Sequence, residues 1–152
     1  MSTKPVPTKP VPTKPVHRNL PLLLLQARER VMARFRPLLN ASGVTEQQWR
    51  IVRVLIDQGP LEPRQIGEKC RISSPSLAGV LARMDELKMI ERERFDHDHR
   101  RVLVSLTTRS RALAAQLAPQ IDAAYGEIEE RIGIRASTQL YAALDELIGE
   151  LG

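Results

Sequence analysis

The sequence predicts a mainly α chain carrying one small β-hairpin. Three observations lead there. Beyond residue 19, apolar residues recur at three- and four-residue spacing over most of the chain. Helix starts and stops at Gly43, Thr45, Gly59–Pro60, Ser74–Pro75 and Gly133 cut that stretch into short and long helical segments. Between the fourth segment and the fifth, the helical period gives way to two short strand-like runs around the polar turn FDHDHR.

Asn19, followed two residues later by Pro21, marks the start of helix one, which runs to about residue 39. Leu25, Met32, Phe35 and Leu39 form its apolar stripe. Thr45 and Gln48 make a capping box for helix two, which stops at Gly59–Pro60. That helix is apolar over a wide arc (Trp49, Ile51, Val52, Val54, Leu55, Ile56), so burial on most sides is expected. Residues 62–70 form a short third helix and 71–73 a turn. Ser74 is expected to cap helix four, with Pro75 in its first position. Leu77, Val80, Leu81, Met84 and Leu87 are its buried stripe. The hairpin strands fall at 90–94 and 101–106. Thr107 caps a long helix five, whose stripe is Leu113, Leu117, Ile121, Tyr125, Ile128 and Ile132. Pro119 lies inside it and predicts a kink. After Gly133, a sixth helix over about 136–151 carries Leu140, Leu144, Leu147 and Leu151.

The 152 residues carry a net charge of +5, unevenly spread. Residues 1–18 hold four basic groups and no acidic ones. Residues 64–111 hold eleven basic and seven acidic groups, and residues 112–152 two basic and seven acidic. A basic middle joined to an acidic end fits a DNA-binding lobe attached to an assembly or sensing element. The single cysteine excludes an internal disulfide framework and fits a reducing compartment. The apolar run at 22–25 is too short for a membrane span or a signal core. A soluble, cytoplasmic protein is expected, with no membrane partner. No Gly-rich phosphate loop, nucleophile elbow or metal triad is present, so neither an enzyme nor a cofactor is expected.

Residues 3–16 repeat TKPVP, TKPVP, TKPV. Proline at every second or third position rules out helix and central strand, so residues 1–18 read as a disordered, extended, basic arm. Two roles are open: Lys4, Lys9 and Lys14 touch DNA phosphates, or the arm is a plain solvated tail.

A short helix, tight turn, second helix and basic hairpin make a winged helix-turn-helix. Its second helix enters the major groove with its leading residues on base edges. On helix four, Ser76, Gly79 and Arg83 lie opposite the buried stripe, and Ser74 stands at the leading end. Small residues there let the backbone approach DNA closely, and serine hydroxyls bond bases or phosphates. The hairpin carries Arg92, Arg94, Arg100 and Arg101, a minor-groove wing in which Asp98 orients Arg100. His97 and His99 form a His-x-His pair, but no further Cys or His cluster accompanies it, so no metal is expected. With aromatic residues at only 3%, stacking platforms for single strands are lacking, and duplex DNA is the expected partner.

These residues resemble the MarR family of bacterial transcription regulators. DHRRVLVSLT looks like the family's D-x-R…LT signature, placing its Asp on Asp98 and its Arg on Arg100. RMDELKMI looks like its R-L-E-x-x-G-L-I, placing its Arg on Arg83. LLQARE, FRP, TEQQWRIVR and PSLAGVLARM resemble the regulators of homoprotocatechuate catabolic operons within the family, and regulators of nicotinate-type degradation look similar. Two positions depart from the pattern, since family glycines are Lys88 and Ser110 here. The resemblance implies one domain over 19–152, with the winged helix-turn-helix at 45–107 and dimerisation helices at 19–44 and 108–152. It also implies a homodimer on a pseudo-palindromic operator. The implied function is repression relieved by a small aromatic carboxylate of the hydroxyphenylacetate or hydroxynicotinate type. The alternative is a constitutive DNA-binding or architectural protein without a sensor.

Arg28 falls on the stripe of helix one between Leu25 and Met32, where a buried cation needs a partner. It is read either as the clamp for a ligand carboxylate, with Trp49 as apolar wall, or as half of an ion pair across the dimer or with the acidic C-terminal helices. Met32, Gln26 and Arg50 are weaker pocket candidates. Cys70 ends a short helix, where the dipole disfavours a thiolate, so core packing rather than redox sensing is expected.

Overall fold

The computed structural model describes residues 3–7, 14–95 and 97–152, with the side chain of His99 left out. The elements are α1 (Leu20–Ala41), α2 (Glu46–Gln58), α3 (Pro63–Cys70), α4 (Ser74–Glu86), β1 (Ile90–Phe95), β2 (Asp98–Leu106), α5 (Thr108–Ile132) and α6 (Ile134–Leu151). This is a mainly α winged helix-turn-helix with its hairpin between α4 and α5. Of the proline-rich arm, residues 1–2 and 8–13, including Lys9, lie outside the described residues, and 3–7 and 14–18 form neither helix nor strand.

The caps follow local chemistry. Asn19 Oδ1 accepts the N–H of Leu22 at 3.1 Å. Thr45 and Gln48 bond each other's backbone N–H, both at 3.1 Å, closing the box on α2. Helix α4 differs from expectation. Ser73, not Ser74, is its N-cap, and Ser74 and Pro75 occupy the first two helical positions. Proline is tolerated at either, because neither N–H has an intrahelical acceptor. The Ser73 hydroxyl donates to the Ser76 hydroxyl at 3.1 Å instead of capping the backbone. Pro119 sits inside α5, and Pro37, which the sequence reading left unremarked, sits inside α1. Each proline and the residue four before it (Ala33, Ala115) is exposed, so the released carbonyls face solvent.

The hairpin is longer than the sequence suggests. Antiparallel pairing runs from Ile90 against Leu106 out to Phe95 against Asp98, with an irregularity between Arg94 and Phe95. Much of FDHDHR is therefore strand. Leu61 joins the sheet by a single bridge to Val104, with N–H to O distances of 3.1 and 2.8 Å.

Two apolar cores meet. One, inside the helix-turn-helix and wing, centres on Ile51, Leu55, Ile66, Leu81, Met84 and Val104. The other joins α1 to α5 through Phe35, Leu39, Leu117 and Ile121. Trp49 and Leu113 pack against both. Gly67 permits the tight turn between α3 and α4, since a Cβ there would stand 3.2 Å from both the Ile72 carbonyl and Leu77 Cδ2.

Several stripe residues are not covered. Leu25, Ile56, Tyr125, Ile132, Leu140 and Leu151 are exposed. Helix α6 buries only Ser137. The exposed large apolar residues concentrate in the first half of α1, the end of α5 and α6. Periodicity marked these faces as apolar, but none of the described residues covers them.

The two departures from the family pattern resolve differently. Lys88, between α4 and β1, takes the left-handed φ of 61°, the conformation glycine adopts without strain. Ser110 is fully buried, and its hydroxyl donates to the Met89 carbonyl at 2.8 Å. Replacing Lys88 with Gly should raise stability by about 0.5–1 kcal/mol, since relief of the left-handed strain exceeds the added chain entropy. The urea midpoint should rise at unchanged slope; an unchanged or lower midpoint would contradict the strain.

Candidate functional site

The recognition face of α4 comes first from burial. Leu77, Leu81 and Met84 point into the core, which leaves Ser74, Ser76, Gly79 and Arg83 exposed. Ser76, Gly79 and Arg83 line a groove of about 480 Å³ with Thr45, Gln47 and Gln48 at the start of α2. Arg83 pairs with Glu86 at 3.0 Å, both largely exposed. A larger groove of about 650 Å³ runs between α3, the start of α4 and β1, lined by Arg64, Ser73, Ser74 and Arg92 among others. Arg92 reaches Asp85 at 3.7 Å.

At the wing, Arg94 and Arg100 are exposed. Asp98 Oδ1 accepts the backbone N–H of Arg100 at 3.1 Å. It thus fixes the chain at Arg100, the residue it is expected to orient. Arg101 is engaged elsewhere. Its Nε donates to Glu62 Oε1 at 2.6 Å, and its guanidinium lies 4.9 Å from the centroid of Phe95. His97 is exposed, and among the described residues no group of His, Cys, Asp or Glu could hold a metal ion.

The end of α4 is tied to α5. Arg109 donates to the Leu87 carbonyl at 2.9 Å, Thr107 Oγ1 to that of Lys88 at 2.7 Å, and Ser110 to that of Met89. Three successive carbonyls leaving the recognition helix are thereby bonded by side chains at the start of α5.

A second cavity, of about 300 Å³, opens between α1, α2 and α5. Arg28, Met32, Trp49, Arg50, Arg53 and Tyr125 line it, together with Glu46 and Cys70. Four of the five ligand candidates read from sequence therefore converge. Gln26 does not; it is exposed and lies outside this lining. The buried cation expected at Arg28 is also corrected. Its side chain is 44% exposed, because it stands at the cavity rim where α1 outruns its packing. Its partners are Glu46 in the first turn of α2 and, at 3.6 Å, Glu29 of its own helix, rather than the C-terminal helices. Glu46 also accepts from Arg50 at 2.9 Å and Arg36 at 3.4 Å. Arg36 bonds Glu29 as well, holding the Glu29 carboxyl below the usual range and raising its own proton affinity. Glu46, Arg53 and Tyr125 were missed as lining. Arg53 had a usable signal, since it lies four residues after Trp49 and so shares its helix face.

Cys70 is buried, and its thiol donates to the Arg50 carbonyl at 3.6 Å. Burial pushes its pKa up, partly offset by the charge of Arg50. A raised pKa keeps the neutral thiol at neutral pH, so native Cys70 should resist iodoacetamide there and react within minutes once unfolded in urea. Rapid labelling of the native chain would contradict its placement.

Residues 42–101 match the model of the MarR family. The chain is 36% identical to the HTH-type transcriptional regulator FarR of Neisseria gonorrhoeae, covering 86% of this chain and 90% of FarR. It is 37% identical to the homoprotocatechuate degradative operon repressor of Escherichia coli, over 88% and 90% of the two chains. The solved structure of NadR in complex with 4-hydroxyphenylacetate superposes with a TM-score of 0.78 at 36% identity, covering 90% of this chain and 97% of that one. The helical order, the paired hairpin and these likenesses agree: the chain belongs to the MarR family of transcriptional regulators and is not an enzyme.

Proposed function

We propose that this protein is a homodimeric repressor of an aromatic-acid catabolic operon, released from duplex DNA by a small aromatic carboxylate. The cavity between α1, α2 and α5 carries the reading. It combines an apolar wall, Trp49 and Met32, with the cations Arg28, Arg50 and Arg53, at the lower end of the ~300–1,000 Å³ typical of small-molecule sites. A carboxylate suits the arginines, with Arg28 as its clamp. Glu46 and the Tyr125 hydroxyl offer acceptors for a ring hydroxyl. The neighbouring NadR structure holds a ligand of that class, 4-hydroxyphenylacetate.

For DNA, Ser74, Ser76, Gly79 and Arg83 face the major groove, and Arg94 and Arg100 reach the minor groove from the wing. The uncovered apolar faces of α1, α5 and α6 support a two-fold partner, which would place two recognition helices on one pseudo-palindrome. A tenfold loss of DNA affinity on ligand binding needs only ~1.4 kcal/mol of coupling.

A duplex selected from a random library by the wild-type protein provides the probe. Hydroxyphenylacetates and hydroxynicotinates should lower its affinity at least tenfold in fluorescence anisotropy, in line with typical allosteric coupling. Arg28→Ala should abolish that response and leave DNA binding intact. No response to any such acid would favour a constitutive regulator, and an unchanged response in Arg28→Ala would remove Arg28 from the clamp. Ile148→Glu, at a 64%-exposed residue on the apolar face of α6, should yield a monomer by sedimentation that binds the duplex poorly. A dimer of undiminished affinity would place the interface elsewhere.

A further inference from the structure

By sequence Arg101 looks like one more arginine for DNA, yet its side chain, though 56% exposed, is paired with Glu62 and lies over Phe95. We propose that Arg101 is a positioning residue: with Glu62 and Phe95 it pins the wing to the start of α3 and so sets the angle between wing and recognition helix. The inference rests on the DNA-binding reading above.

Besides the core packing of Ile90, Val104 and Leu106 and the Arg92–Asp85 pair to α4, two attachments join the wing to the start of α3. One is the backbone bridge between Leu61 and Val104 at its base. The other lies three residues outward on β2, roughly 10 Å further along the strand. There Arg101 Nε meets Glu62 Oε1 at 2.6 Å, and Phe95, from the opposite strand, covers the guanidinium at 4.9 Å. At the α3 edge a single bridge would leave the outer part of β2 free to pivot, and the second point holds it. Glu62 is itself held, because it is the N-cap of α3 and its N–H donates to Gln65 Oε1 at 2.9 Å. Helix α3 packs on α4, so the clamp refers the wing to the helix-turn-helix as a unit. Arg94 and Arg100, on the same hairpin, are then delivered to the minor groove at a fixed separation from α4.

The reading makes predictions opposite to those of a phosphate contact. A phosphate-binding arginine lost to alanine reduces the salt slope of log K by about 0.9 and weakens all duplexes alike. Arg101→Ala should instead lower affinity for the selected duplex about tenfold, leave affinity for an unrelated duplex within about twofold, and leave the slope unchanged, whereas Arg100→Ala should reduce it. Glu62→Gln separates the readings by sign. Removing a negative charge near phosphates tightens binding if only electrostatics acts, but weakens specific binding if the clamp matters. The exchange Glu62→Arg with Arg101→Glu should recover most of the loss seen in either single reversal. Thermal melting checks that each variant is folded. A reduced slope for Arg101→Ala, tighter binding by Glu62→Gln, or no recovery in the exchange would each overturn the proposal. If the wild-type protein selects no duplex at all, the DNA-binding reading falls and takes this one with it.

Discussion

The fold depends on how the recognition helix is held at its far end. The carbonyls of Leu87, Lys88 and Met89 leave α4 without helical partners, and a buried or half-buried carbonyl needs one. Arg109, Thr107 and Ser110 supply them from the start of α5. Ser110 does more than a glycine would: it closes the capping box with Thr107 and reaches into the core to Met89. Lys88 takes the left-handed conformation that makes this junction turn. The orientation of α4 is thereby set by α5, the longest helix, whose other end carries Tyr125 and the uncovered Ile132.

Trp49 adds the second link. It packs against both cores and walls the cavity between α1, α2 and α5. A ligand there would touch α1, α2 and α5 together, at the joint between the two cores. In the proposed mechanism its effect equals the difference in its affinity for the DNA-competent and released arrangements, not its total affinity. The Glu46 cluster ties α1 to the first turn of α2, so charge entering the cavity meets a network that spans the same joint.

What the sequence made legible was local. The Thr45–Gln48 box and the Gly133 stop are written in residues a few positions apart and formed where expected, while the basic hairpin formed with longer strands than its local pattern suggests. The faces of α4 were readable because a buried stripe dictates its exposed complement. What failed was anything set by a distant surface. Leu25 and Ile56 keep the helical period but face out, since a stripe records which way a residue points and not what lies opposite. Arg28 was read as buried for the same reason, and its partner Glu46 comes from another helix. Glu62 and Arg101 are 39 residues apart, and nothing in their spacing joins them. Pairing across the fold also gives Arg101 two partners within the protein, Glu62 and Phe95.

In the proposed mechanism one cavity links an aromatic acid to DNA release. Trp49 is the only tryptophan in the chain, so its fluorescence reports that wall alone. Titrating 4-hydroxyphenylacetate into the protein bound to its selected duplex, and following Trp49 emission and DNA anisotropy together, gives the most direct test. The account predicts that both signals change with one midpoint, and that both responses vanish in Arg28→Ala. DNA release with no change at Trp49, or a change at Trp49 that leaves the DNA bound at saturation, would contradict it.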